Sequence, residues 1–195
     1  MGLEIELLRG AELRARLDAL AFLRIAVFED YPYLYCGDIS YERDYLKRFA
    51  YAPGAILVAA CAEGRMVGAA TAAPLREYDP GLNALFEKRG LGDQSIFYFG
   101  ESVLLSEFRQ RGVGHSFFDE REAAAREAGA TMAAFLSVVR PDDHPARPHD
   151  YYALESFWRD RGYLPFDGLT TTLDWEEHGS DGEITHTMQF WVSPL

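Results

Sequence analysis

Between Leu104 and Ala130 the chain reads LLSEFRQRGVGHSFFDEREAAAREAGA, and its first half holds the residues best suited to chemistry. Arg109, Arg111, Gly112 and Gly114 fall between the end of an apolar run and the start of a helical pattern. A helix start offers unpaired backbone N–H groups and the positive end of the helix dipole. Two glycines two residues apart let several amides turn toward one anion, and they let a phosphate approach where a Cβ would stand. This arrangement would suit a pyrophosphate. The alternative is a corner that glycine merely eases. Spacing disposes of two nucleotide loops. A dinucleotide G-x-G-x-x-G needs glycine where Phe117 stands, and the P-loop has no Gly-Lys pair to start from.

Just upstream, Glu101 interrupts the apolar run SIFYFGESVLL. A carboxylate in such a strand needs a partner or an altered proton affinity, which makes it a candidate general base. The loop EDYPYLYCGD gathers Glu29, Asp30, Tyr31, Tyr33, Tyr35 and Asp38. Aromatic faces with carboxylates suit an amine or ammonium, and Tyr31 and Tyr33 are the substrate-contact candidates. The histidines carry less. His144 and His149, with Asp142 and Asp143, match no zinc spacing, and a proline-rich surface loop accounts for them; no metal is expected.

These residues need elements to hold them. LEIEL alternates and reads as a strand. AELRARLDALAFLRIAVFED carries Leu13, Leu17, Leu20, Ile25 and Phe28 at helical spacing and must end before Pro32. Ser40 is the expected N-cap of a second helix running to Ala50. Two β-leaning runs around Glu63-Gly64-Arg65 form a hairpin. Residues 76–94 read as an inserted excursion with one short helix. A long strand follows over 95–107, then a helix with Val113, Phe117, Ala124 and Ala128 inward and Gly129 at its C′ position. TMAAFLSVV is a further strand, YYALESFWRDRGY a helix stopped by Gly162, and LTTTLDWEE and ITHTMQFWV a closing hairpin. Strand–helix–strand in the middle demands a parallel pair, while hairpins are antiparallel. The expected fold is α/β, a single domain over 1–195. It has one mixed, mostly antiparallel sheet of about seven strands, with helices on both faces.

FRQRGVG also resembles the R/Q-x-x-G-x-G/A signature of the GNAT superfamily of N-acetyltransferases, at Arg109, Gly112 and Gly114. VAACAEGRMVGAATAAP resembles that family's second and third strands, and ALESFWRDRGYLPF its last helix. The resemblance implies an acyl-CoA N-acyltransferase fold whose central parallel pair splays apart, and acetyl-CoA as co-substrate. It implies that Val103, Leu104 and Leu105 pair with the pantetheine arm. Arg109, Gln110, Arg111, Gly112, Val113, Gly114 and His115 would then hold the pyrophosphate. Glu101 becomes the base for direct transfer to a primary amine of a small molecule or peptide. The family's usual acid, a tyrosine in the last helix, is replaced by Trp158; either Tyr151 or Tyr152 stands in, with Tyr152 the catalytic candidate, or both only pack and the thiolate leaves unaided. Trp158 also supports the rival reading, an inactive acyl-CoA-binding or dimerisation module.

The whole chain narrows the partners. A net charge of −12 opposes nucleic acid and is compatible with a cationic substrate. No apolar run approaches the ~18 residues of a membrane span and no secretory signal opens the chain, so a cytoplasmic address is expected. Two cysteines build no disulfide framework. The apolar strand MQFWVSPL is expected near a sheet edge, where it invites pairing with a second copy; burial inside the monomer would account for it equally well.

Overall fold

The computed structural model describes residues 2–195. Its elements run β1 (Leu3–Arg9), α1 (Gly10–Arg14), α2 (Leu17–Phe28), α3 (Ile39–Ala50), β2 (Ile56–Ala62), β3 (Arg65–Pro74), α4 (Leu75–Tyr78), α5 (Pro80–Glu87), β4 (Ile96–Leu104), α6 (Val113–Glu127), β5 (Met132–Val138), α7 (Glu155–Asp160), β6 (Leu164–Glu176) and β7 (Glu183–Pro194). Seven strands form one sheet in the order β1-β2-β3-β4-β5-β7-β6. Only β4 and β5 are parallel; the other neighbours are antiparallel. The α/β mixed sheet expected from the order of elements is the one observed.

Alternation along the strands sends side chains to two faces, and helices cover both. Phe97 and Phe99 of β4 pack with Phe118 and Ala125 of α6 and with Phe135 and Trp191. On the opposite face Leu57, Ala59 and Ala69 pack under α1, α2 and α3 through Leu13, Leu20, Leu46 and Phe49. Phe86 of α5 extends that second layer over Tyr98, Ala134 and Phe190. The segment after β3 is therefore no loose excursion. Its two short helices roof the sheet, and Asp79 caps the second by accepting from the Leu82 amide at 2.9 Å.

Several local details differ from the sequence reading. The long first helix is broken at Ala15–Arg16, where the Arg16 amide turns back to the Leu13 carbonyl at 2.9 Å. The break lets both Leu13 and Leu20 reach the core. Asp38, not Ser40, is the N-cap of α3: its carboxylate accepts from the Tyr41 amide at 2.9 Å, and Ser40 donates to the same oxygen. Ala128 is exposed beyond the end of α6, while Gly129 takes φ +74° as the helix stop requires. Tyr151 and Tyr152 precede α7 instead of lying in it. β7 is not at an edge, because β5 and β6 pair with it on either side; β6 and β1 are the edge strands. No helix among the described residues is long and apolar enough to cross a membrane.

Candidate active site

The site begins where β4 and β5 part. Their parallel register runs from Ile96 opposite Met132 to Phe99 opposite Phe135 and then stops. Beyond it β4 continues against β3 to Leu104, and β5 continues against β7 to Val138. The two strands diverge into a wedge whose β4 wall is Gly100 to Leu104.

A β-bulge sits at the point of divergence. Ala70 of β3 faces Ser102 and Ala72 faces Phe99, so Thr71 alone stands opposite Gly100 and Glu101. An extra residue reverses the alternation. Phe97 and Phe99 point toward α6, yet Glu101 and Val103, also odd-numbered, point toward α2. Thr71 stabilises the bulge: its hydroxyl accepts from the Glu101 amide at 2.9 Å and donates to the Glu101 carboxylate. Only glycine fits at position 100, where an added Cβ would stand 2.5 Å from the Thr71 Oγ1.

Thus Glu101, 7% exposed, is turned into a small cleft lined by Phe49, Thr71, Ala73, Tyr78, Tyr98 and Gly100. It does not stand alone there. Arg24 of α2 donates to Glu101 through Nη1 and to Glu42 of α3 through Nε, with its Nη2 3.4 Å from the second Glu42 oxygen. Glu42 is wholly buried. Burial works against the Arg24 charge, but Glu101, Tyr45 and Glu42 together outweigh it and hold the guanidinium above its ordinary pKa. Its plane also lies over the rings of Tyr45 and Phe28, at 4.6 and 5.0 Å. One cation between two carboxylates leaves this buried group with a formal charge of −1.

Phenols complete the surroundings. The Tyr45 and Tyr78 hydroxyls are 3.0 Å apart, and Tyr78 stacks on Tyr98. Burial pushes Tyr33 and Tyr78 each up to about 12, so both stay neutral far above neutral pH. Arg24 and Arg140 draw the Tyr33 value down and Tyr151 and Glu101 push it up, each by less than burial does. The Tyr33 loop is stapled in place. Arg140 donates to the Pro32 and Tyr33 carbonyls and to Glu177, and the Trp175 indole donates to the Tyr33 carbonyl at 2.9 Å. His186 stacks on Trp175 within this staple; burial and the nearby Arg140 lower its pKa, and its Nε2 has no partner among the described residues. Tyr31 meets the ring of Tyr151 edge-on at 4.7 Å and His144 at 5.7 Å.

At the far end of the wedge lies the glycine elbow. After a short 3-10 turn, Ser106–Phe108, Gln110 takes φ +61° and Gly112 φ +82°. The backbone amides from Gln110 to His115 find no backbone acceptor among the described residues, and α6 has no side-chain N-cap. A Cβ at Gly112 would meet nothing, so the space above the elbow is open. A cradle of free amides at an uncapped helix start fits a pyrophosphate. The two arginines turn partly away: Arg109 Nε donates to the Leu104 carbonyl at 3.2 Å, and Arg111 donates to the Glu107 carbonyl at 2.8 Å. Phe157 packs on His115 at 5.0 Å and lies within ordinary contact of a Cβ at Gly114.

Glu101, Val103 to Leu105 and the elbow follow one another along the end of β4 and the turn into α6, and Tyr33 lies within the electrostatic reach of Glu101. Tyr152 does not join them; it is 68% exposed and its hydroxyl lies near Ser156, at 3.2 Å. Trp158 packs between Phe135 and Trp191, on the face of the sheet opposite Glu101. Sequence reasoning missed Arg24, Glu42 and Thr71. A charge inside the apolar run LAFLRIAVF was the available signal for Arg24; Glu42, in a polar helix, gave none.

A splayed parallel pair, a bulged strand and an open helix start define the class. A family model described as the acetyltransferase (GNAT) family matches residues 20–160, and the chain belongs to that family. Solved structures agree in fold. A ribosomal-protein-alanine N-acetyltransferase from Brucella melitensis is similar at 17% identity and TM-score 0.60, over 98% of this chain and 99% of that one. An N-acetyltransferase from Staphylococcus aureus Mu50 is similar at 9% identity and TM-score 0.61, over 100% and 99%. A polyamine N acetyltransferase from Drosophila melanogaster, which forms N acetylagmatine, is similar at 13% and TM-score 0.59, over 98% and 100%. No curated protein sequence matches the chain.

Proposed function

We propose that the protein is an acetyl-CoA-dependent N-acetyltransferase that acts by direct transfer to a primary amine of a small molecule or peptide. The observation that carries the reading is the parting of β4 from β5: beyond Phe99 no strand pairs with that edge of β4, and the chain runs from a buried carboxylate to helix-start amides without backbone acceptors. Acetyl-CoA would supply the thioester. The edge of Val103 to Leu105 would bind its arm as an added strand. The amides from Gln110 to His115, with Arg109 and Arg111 beside them, would hold its pyrophosphate.

Glu101 would face the incoming amine. Both of its oxygens accept hydrogen bonds, one from Arg24 and one from Thr71, which fixes the carboxylate and leaves lone pairs for an ammonium or a bridging water. The formal −1 of the Arg24–Glu42–Glu101 group favours a cation in the cleft, and aromatic rings around it would exclude water and support the same charge. Tyr33, neutral and adjacent in electrostatic reach, is a better placed proton donor for a leaving thiolate than the exposed Tyr152.

Calorimetry with acetyl-CoA and thiol release across a panel of polyamines, aminoglycosides and amino-terminal peptides test this. Micromolar binding abolished by Gly112→Asp, with thiol release on at least one amine, is the expected result. Unchanged affinity in Gly112→Asp would overturn the cradle. The packing of Trp158 away from Glu101 favours a second reading, an acyl-CoA-binding module without turnover; that reading predicts binding with no thiol release on any amine.

A further inference from the structure

Arg121 is among the largest side chains fully buried in the protein, and nothing in the chemistry above uses it. It lies in α6, on the face of the sheet opposite Glu101. No carboxylate stands within ion-pair distance of it among the described residues; neighbouring Glu122 is taken by Arg161 and Tyr163. Its guanidinium lies over the rings of Phe99 and Phe118, at 4.4 and 4.8 Å. Burial presses its pKa down to about 10, and its Nη2 has no partner. A buried cation without a counter-charge is costly, and a methionine would fill the same aromatic pocket without that cost.

What methionine cannot do is donate. Nε of Arg121 donates to the Phe117 carbonyl at 3.0 Å, one turn back, and Nη1 reaches through the sheet to the Thr71 carbonyl at 3.5 Å. Thr71 is the single β3 residue opposite the bulge, and its hydroxyl both accepts from the Glu101 amide and donates to the Glu101 carboxylate. A continuous chain of hydrogen bonds runs from α6 on one face, through Thr71, to Glu101 on the other. We propose that Arg121 is a positioning residue: it holds Thr71 and the β4 bulge in the register that aims Glu101 into the acceptor cleft. The proposal rests on the reading of Glu101 as a group of the reaction site.

Arg121→Gln is the discriminating variant. Its side-chain nitrogen stands where Arg121 Nε stands, so the bond to Phe117 can persist while the reach to Thr71 is lost. The expected result is hydrogen exchange at the Glu101 amide about tenfold faster than in the wild type, since one charge-assisted bond supporting the bulge is gone. Acetyl-CoA affinity by calorimetry stays within about twofold, because the elbow amides are untouched. With any amine the wild type acetylates, kcat falls about tenfold, KM for acetyl-CoA does not change, and Arg121→Lys recovers part of the loss. If Arg121→Gln does not fold, Arg121→Met, which refills the pocket, is read the same way. Exchange at Glu101 and kcat both equal to wild type in a folded variant would overturn the proposal. A wild type that transfers to no amine would sink the functional reading alone, and the Glu101 exchange rate would still decide the positioning claim.

Discussion

Arg24 is the residue on which the candidate site turns. It holds two buried carboxylates from different elements, so its removal leaves Glu42 and Glu101 facing each other without a counter-charge. Breaking a buried pair in this way costs about 3–5 kcal/mol. Arg24→Ala should therefore lower the thermal midpoint by roughly 10 °C at this chain length; a calorimetric scan within 2 °C or so of wild type would show that the group is not the anchor argued here. Glu101→Gln asks a different question. It keeps the shape and the Thr71 contact but removes the charge, so acetyl-CoA binding should persist while kcat/KM on an accepted amine falls about 100-fold or more. Steady-state kinetics beside calorimetry separates the two effects, and an undiminished kcat/KM would remove Glu101 from the reaction.

At the scale of elements, two glycine positions make opposite demands. Gly112 sits at φ +82° with open space around it, so Gly112→Ala is strained by about 1 kcal/mol or more whatever it binds. Gly114 has ordinary helical backbone, and an added Cβ would find the Phe157 ring at 3.5 Å, a normal contact. Gly114→Ala should leave urea stability within about 0.5 kcal/mol and acetyl-CoA affinity within about twofold, because its methyl turns to the Phe157 ring and the G/A of the signature admits alanine here. A large loss of affinity in Gly114→Ala would place the phosphate against Gly114 itself. The β4 bulge makes a third demand. Gly100→Ala places a methyl 2.5 Å from the Thr71 hydroxyl, which must shift and release Glu101. The expected phenotype is lost transfer with retained acetyl-CoA binding, read by the same pair of measurements.

For the molecule as a whole, the tyrosines around the cleft set its alkaline limit. In the unfolded chain a phenol ionises near pH 10, whereas burial holds Tyr33 and Tyr78 at about 12. Between those values the unfolded state sheds protons that the folded state keeps, so stability present below pH 10 is lost as pH rises toward 12. Urea midpoints should be flat up to pH 9 and then fall, and Tyr78→Phe should fall less steeply. A Tyr78→Phe slope equal to wild type would remove Tyr78 from that limit.

The sequence by itself determined the sheet, its parallel centre and the glycine elbow. Each is written in local pattern: alternating apolar residues make the strands, a helical repeat between two strands forces the crossover, and Gly112 supplies a positive φ that few residues tolerate. Glu101 was legible too, as a charge in an apolar run. Its surroundings were not. Strict alternation would have put Glu101 beside Phe97 and Phe99, against α6; the bulge opposite Thr71 turned it to the other face. Glu42 looked like one acid among many in a polar helix, and Arg24 lies 77 residues from Glu101. Nor did the sequence place Tyr152 on the surface or Trp158 in an aromatic stack. Those outcomes depend on which faces meet when the sheet closes between its helices, and contacts made across such distances leave no periodic trace in the chain.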